Sequence, residues 1–219
     1  MPSPCDVMPS ADITSLLLSK YPLVSDQVDK RELAVILREL GKQQGMLTDD
    51  ASVVEFGCYI GTTSLFIQRL LDAYASKASF HVYDSFAGLP EKVSQDASPA
   101  GEQFKAGELT ASRKDFEMQF KKAGLRLPKI HKAWFNDLRA DDVPDDIAFA
   151  YLDGDYYESI RDSLYLIQDK LMSNAVVVID DYANEALPGT AKAVNEWLTG
   201  LSGHLRVQSS LAIISDIKT

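Results

Sequence analysis

The sequence predicts an α/β protein: a doubly wound, mostly parallel sheet with helices added at the N-terminus and one long loop. Three observations carry that expectation. Short apolar runs at 52–56, 80–83, 147–152 and 176–179 are continuous rather than alternating, as in strands buried on both faces. Segments of helical period separate them. Three of the runs end on an acid, Asp84, Asp153 or Asp180, where the carboxyl ends of parallel strands line a ligand crevice.

Taken in order, Asp12 to Leu18 suggests a short helix. Asp29 to Gln44 is amphipathic through Leu33, Val35, Ile36, Leu37 and Leu40, and ends near Gly41 and Gly45. Residues 1–50 therefore form an N-terminal helical addition to a domain spanning 51–219. Their apolar residues exceed what one helix face needs, which suggests a homodimer. Ser52 to Phe56 begins the sheet, Gly57 to Gly61 makes a glycine-bracketed turn, and Thr62 to Tyr74 is helical. Phe80 to Tyr83 is the second strand. Residues 87–111 hold Gly, Pro, Ser and charges without a lasting period; a loop of that length at a ligand edge, carrying Phe104 and Leu109, reads as a lid. Ser112 with Asp115 makes a capping box that opens Arg113 to Ala123, closed by Gly124. A short strand begins near Lys129, and Tyr156 to Met172 and Thr190 to Leu201 are the remaining helices. Leu205 to Gln208 and Leu211 to Ser215 finish the sheet as a hairpin around Ser209 and Ser210.

With 46% apolar and 25% charged residues, the 219-residue chain has the balance of one globular core and not of a fibrous or disordered chain. A net charge of −10 argues against a nucleic-acid partner. No run approaches the ~20 apolar residues of a membrane span, and Met1 to Ser10 lacks a basic head before an apolar block, so neither export nor membrane insertion is expected. Cys5 and Cys58 lie far apart, without CxxC spacing or a multi-cysteine framework, so neither a disulfide scaffold nor a cysteine zinc site is indicated, and a reducing cytoplasm is the expected compartment.

In the turn, Gly57 and Gly61 let backbone N–H groups approach a ligand at a helix N-terminus. Their spacing is not that of the dinucleotide fingerprint, and Glu55 before the turn would repel a phosphate but attract an ammonium. Asp84 stands close to the offset at which a second-strand acid reaches ribose hydroxyls, which both nicotinamide and adenosyl ligands require. Asp153 and the pair Asp180–Asp181 are separated by one helix and a return strand, so all three emerge at one sheet edge. Their mutual repulsion calls for a cation, and an all-oxygen set suits a hard ion such as Mg²⁺, with Mn²⁺ equally acceptable. Asp153-Gly154-Asp155 is not a calcium loop, since its twelfth position is Leu164. His81, His131 and His204 are scattered and read as structural.

Taken together, Val54–Ser64, Val82–Pro90, Gly107–Ser112, His131–Phe135, Ala148–Ile160 and Ile179–Gly189 resemble the macrocin O-methyltransferase family, a Rossmann-like class I methyltransferase family. The resemblance implies a metal-dependent O-methyltransferase using S-adenosylmethionine and Mg²⁺ on a sugar hydroxyl of a small-molecule natural product. It assigns Glu55, Gly57, Tyr59 and Gly61 to the methionine part of the cofactor, with Thr63 in the same motif. Asp84 goes to the ribose with Ser85 beside it, and Trp134 and Phe135 to the adenine edge. Asp153, Asp180 and Asp181 are implied metal ligands, with Asp153 the expected general base and Asp155 its alternate. The sequence departs from the family at Ala133 and over Asp137 to Asp141, near the adenine edge. A catechol acceptor, a nicotinamide-dependent oxidoreductase and a non-catalytic adenosyl-binding module are the competing readings; the last two leave the acidic cluster unexplained.

Overall fold

The computed structural model describes residues 10–101 and 103–218; Cys5 and most of the N-terminal segment tested for a signal lie outside them. Seven strands form one sheet: β1 (Ser52–Phe56), β2 (Ser79–Asp84), β3 (Lys129–Lys132), β4 (Ile147–Leu152), β5 (Leu171–Ile179), β6 (Ser202–Gln208) and β7 (Leu211–Lys218), in the order β3-β2-β1-β4-β5-β7-β6. All pairs are parallel except β5–β7 and β6–β7. Chain order reverses between β1 and β4, the switch point at which a doubly wound sheet opens a crevice. The strand-end acids meet there because β2, β1, β4 and β5 are consecutive neighbours.

The continuous apolar runs follow from helices on both faces. Helices α1 (Ser10–Lys20), α2 (Lys30–Lys42), α3 (Thr62–Ala73) and α4 (Arg113–Ala123) pack on one face, against Val53, Val82 and Val178. Helices α5 (Tyr157–Ile167) and α6 (Pro188–Thr199) cover the other, against Val54, Ala150 and Val177. Asp29 caps α2 by accepting from the Arg31 and Glu32 amides, and the capping box of Ser112 and Asp115 opens α4 as its sequence predicts. The apolar excess of the N-terminal helices is absorbed within one chain: Ile13, Leu17, Leu18, Leu33, Ile36 and Leu40 are buried in the core, leaving Leu16 exposed.

Several boundaries shift by a few residues, and one exchanges helix for strand. The stripe from Ile160 to Leu171 extends a helical reading to Met172, but α5 ends at Ile167, a single 3₁₀ turn follows, and Leu171 pairs with Ile147 of β4. Strand pairing takes Leu171 although its spacing fits the helix. Among the described residues no helix is long and apolar enough to cross a membrane.

On β2, His81 is buried with its ring stacked on that of His131, Nδ1 lying 3.1 Å from His131 Nε2. Burial, then Lys129 and His131, lower its pKa from 6.5 to about 4. The unfolded chain therefore binds the extra proton first. Stability from the neutral ring is complete above pH 6.5 and is lost as pH falls toward 4. We expect the thermal midpoint to fall across that window by the equivalent of about 2 kcal/mol, and His81→Gln to flatten the decline; parallel curves for parent and variant would contradict this origin.

Candidate active site

The cavity of about 270 Å³ at the switch point is walled by the ends of β1, β2, β4 and β5, the start of α2, and the loop before α4. Every residue singled out in the sequence except Gly61 lines it: Glu55, Gly57, Tyr59, Thr63, Asp84, Ser85, Trp134, Phe135, Asp153, Asp155, Asp180 and Asp181. Phe104 and Leu109 of the long loop line it as well.

At the end of β1, Glu55 is fully buried. Its Oε2 accepts from Ser64 Oγ at 2.5 Å, while Oε1 has no hydrogen-bond partner. Burial raises its pKa to about 8, and Asp84 adds to the rise. A buried carboxylate oxygen facing a cavity without a donor is a site for a cationic ligand group. Gly57 adopts φ +85°, and a Cβ there would land on the Asp153 carbonyl oxygen, so the chain passes beside β4 only without a side chain. Asp84 does more than offer a carboxylate: Oδ2 accepts from the Cys58 and Tyr59 amides at 2.8 and 3.2 Å, and Oδ1 from Phe86 N at 2.7 Å. It thereby fixes the glycine turn to β2. Phe135 packs edge-on against Phe56, and Trp134 stays 37% exposed, leaving an indole free at the cavity rim.

Beyond β4 and β5 the acids converge. Oxygens of Asp153, Asp155 and Asp181 lie within 4.8 Å of one another. Asp180 is engaged otherwise: Oδ2 accepts from Tyr151 Oη at 2.6 Å, and Oδ1 from Asp181 N at 2.8 Å. The Tyr151 hydroxyl also lies 3.2 Å from Asp153 Oδ2, so one phenol joins the two strand ends. Burial raises the pKa of Asp153 far above the usual carboxylate range, and Asp180, Asp155 and Asp181 raise it further. Asp155 is raised by burial and then Asp181, Asp180 by burial and then Asp181 to about 7, and Asp181 by burial. Such a group holds protons unless a cation replaces them, and its oxygens suit a hard divalent ion.

The sequence reading missed Tyr151, whose signal was its place two residues before Asp153 on the same strand face. It also missed Asn184, whose Nδ2 donates to Asp181 Oδ1 and to Gln103 Oε1 of the long loop, and Glu32 of α2, which accepts from Ser210 Oγ. No local pattern marks a contact spanning 178 residues.

Residues 43–202 match the family model of macrocin-O-methyltransferase (TylF). The chain belongs to the macrocin O-methyltransferase family. It is 31% identical over 141 residues to an 8-demethyl-8-(2,3-dimethoxy-alpha-L-rhamnosyl)-tetracenomycin-C 4'-O-methyltransferase of Streptomyces olivaceus, covering 61% of this chain and 54% of that protein. It is 28% identical over 153 residues to the demethyldecarbamoylnovobiocin O-methyltransferase of Streptomyces niveus, covering 66% and 57%. The matches thus span little more than half the length of these relatives. Among solved structures, the O-methyltransferase NovP superposes with a TM-score of 0.72 at 19% identity, covering 95% of this chain and all of that one. The class I methyltransferase fold expected of a macrocin O-methyltransferase is present, with β7 inserted antiparallel between β5 and β6.

Proposed function

We propose that this chain is an S-adenosylmethionine-dependent O-methyltransferase that uses Mg²⁺ or Mn²⁺ and methylates a sugar hydroxyl of a glycosylated small molecule. The observation that carries the reading is the trio Asp153, Asp155 and Asp181, buried at Asp155 and half-buried at the other two, beside a glycine turn with an unpartnered Glu55 oxygen. The name of the S. olivaceus relative, which places a rhamnosyl group on its acceptor, supports the sugar.

Bound S-adenosylmethionine would supply an electrophilic methyl group, and a bound divalent ion would lower the pKa of an acceptor hydroxyl and fix its oxygen. Glu55 holds the ammonium, Gly57 and Gly61 shape the turn around the methionine part, and Asp84 offers its remaining lone pairs to the ribose. Trp134 and Phe135 edge the adenine. Asp153, Asp155 and Asp181 hold the ion, and Tyr151 with Asp180 orients Asp153. Asp153, beside the acceptor, takes the hydroxyl proton, with Asp155 the alternate base. The acceptor oxygen freed of its proton would be the nucleophile for that methyl group, with S-adenosylhomocysteine as the leaving group.

Turnover on deoxysugar glycosides and on catechols, each with Mg²⁺ or with a chelator, tests the reading. With the glycosides as acceptors, S-adenosylmethionine should be converted to S-adenosylhomocysteine only with the ion; catechol-only turnover would move the acceptor to adjacent phenols.

Glu55 adds a pH signature. With its pKa near 8 it is protonated in the ligand-free protein at pH 7, and an ammonium favours the carboxylate. Binding of S-adenosylhomocysteine at pH 7 should release about one proton, and affinity should rise as pH increases toward 8. Calorimetry in buffers of different ionisation enthalpy measures this, and proton release unchanged in Glu55→Gln would assign it elsewhere.

A further inference from the structure

The middle of the long loop hangs on residues that surround the acidic trio, while its flanks are fastened elsewhere. At 94–98, the buried Asp96 accepts from Tyr157 N at 2.7 Å, Ser98 Oγ donates to the Glu185 carbonyl at 2.6 Å, and Lys192 Nζ donates to the Gln95 carbonyl. At 107–108, the main chain pairs with Leu89 through Gly107 N and the Glu108 carbonyl, both at 2.9 Å. Between these anchors Phe104 stands in the cavity wall at φ +60°, a left-handed backbone that a bulky side chain does not adopt unaided.

Among the described residues, Gln103 supplies the support, and both of its bonds lead back to the acids. Its side-chain Oε1 accepts from Asn184 Nδ2 at 3.2 Å. Its carbonyl accepts from Lys92 Nζ at 2.9 Å, and that ammonium lies 5.3 Å from the ring centroid of Tyr156, the residue after Asp155. Asn184 cannot turn its amide over. Its Oδ1 accepts from Ala186 N at 3.0 Å, so its Nδ2 protons are left for Gln103 and for Asp181 Oδ1, the latter at 2.9 Å. The Asn184 N–H also donates to the Asp181 carbonyl at 3.1 Å, so one tight turn joins the two residues.

Oxygens of Asp181, Asp153 and Asp155 lie within 4.8 Å of one another. Ionised and without a cation, these carboxylates repel; a cation removes the repulsion and holds Asp181 in one orientation. Asn184 is one hydrogen bond from that change and Gln103 two. Given the ion-dependent reading above, we propose that Asn184 is a positioning residue that couples the ion site to the loop: a divalent ion on Asp181 seats Gln103 and Phe104 in the cavity wall, and its loss releases them. The wall is then complete only when the acceptor hydroxyl can be activated, which keeps water from the methyl group until that moment. By linkage, the seated loop in turn favours the ion.

Trypsin cleavage after the exposed Lys105, followed by mass spectrometry on protein holding S-adenosylhomocysteine, tests the coupling without turnover. Mg²⁺, at a concentration that calorimetry shows to saturate each variant, should slow cleavage of the parent about fivefold or more relative to a chelator. In Asn184→Ala and in Gln103→Ala the slowing should fall below about twofold, and combining the two should add nothing further. Lys192→Ala, which loosens the flank at Gln95, should speed cleavage in both conditions and keep the parental ratio, as any merely structural defect would. Parental ratios in Asn184→Ala and Gln103→Ala, or an equal loss of the ratio in Lys192→Ala, would overturn the proposal. Mg²⁺ binding to the parent without any change in cleavage would also overturn it, whereas no Mg²⁺ binding at all would remove the ion-dependent reading beneath it.

Discussion

Replacing Asp153 by Asn should lower kcat for methyl transfer by about a thousandfold, the middle of the range for losing a positioned base. The same substitution should weaken Mg²⁺ binding by about ten- to a hundredfold. Asp153 follows β4 directly, its N–H donates to the Phe56 carbonyl at 2.8 Å, and its carboxylate stands between Tyr151 and the oxygens of Asp155 and Asp181. Asn keeps the shape and removes both the charge and the proton acceptor. Affinity for S-adenosylhomocysteine should change only a few-fold, because Glu55 and the glycine turn remain. Asp180→Asn should also slow transfer, through Tyr151, whose phenol would lose the charged acceptor it shares with Asp153. Parental kcat for Asp153→Asn in saturating Mg²⁺ would remove this carboxylate from the chemistry.

The second large effect is expected at Gly57. Alanine there combines a left-handed backbone with a Cβ placed on a main-chain oxygen of the neighbouring strand, and neither can relax by a side-chain rotation. Destabilisation by about 3 kcal/mol or more follows, with affinity for S-adenosylhomocysteine falling at least a hundredfold as the turn moves. Gly101→Ala is the matched control: φ is +110° but nothing lies within 4 Å of its Cβ position, so it should cost about 1 kcal/mol and leave cofactor affinity unchanged. Urea unfolding and calorimetry separate the two. Similar behaviour of both variants would mean that the close approach to β4 has no role in shaping the turn.

The strand-end acids were legible because period and punctuation are local. Val53 and Val54 both had to be buried, one toward each face, and a continuous run says so. Asp84, Asp153 and Asp180 then fell at the carboxyl edge once the strands were parallel neighbours. What remained hidden was which oxygens face each other. Asp180 is drawn aside by Tyr151, and Asp155 is brought in at φ +59° beside Asp181, an arrangement no spacing rule contains. Asp84 shows the same limit: its position announces a ribose acid, while the hydrogen bonds it accepts from the Cys58 and Tyr59 amides, which hold the turn to β2, emerge only in three dimensions. The long loop was legible as a loop with two apolar anchors, but its attachment through Asp96 to α5 and through Gln103 and Asn184 to Asp181 joins residues 61 or more apart.

The most direct measurement is calorimetric titration of the protein with S-adenosylhomocysteine, in Mg²⁺ and again in a chelator, with NADH as a parallel ligand. Micromolar binding of the adenosyl ligand and none of NADH is the predicted result. Absence of adenosyl binding in both conditions, or tight binding of NADH, would contradict the assignment of Glu55, the glycine turn and Asp84 to the cofactor and return the site to an oxidoreductase reading.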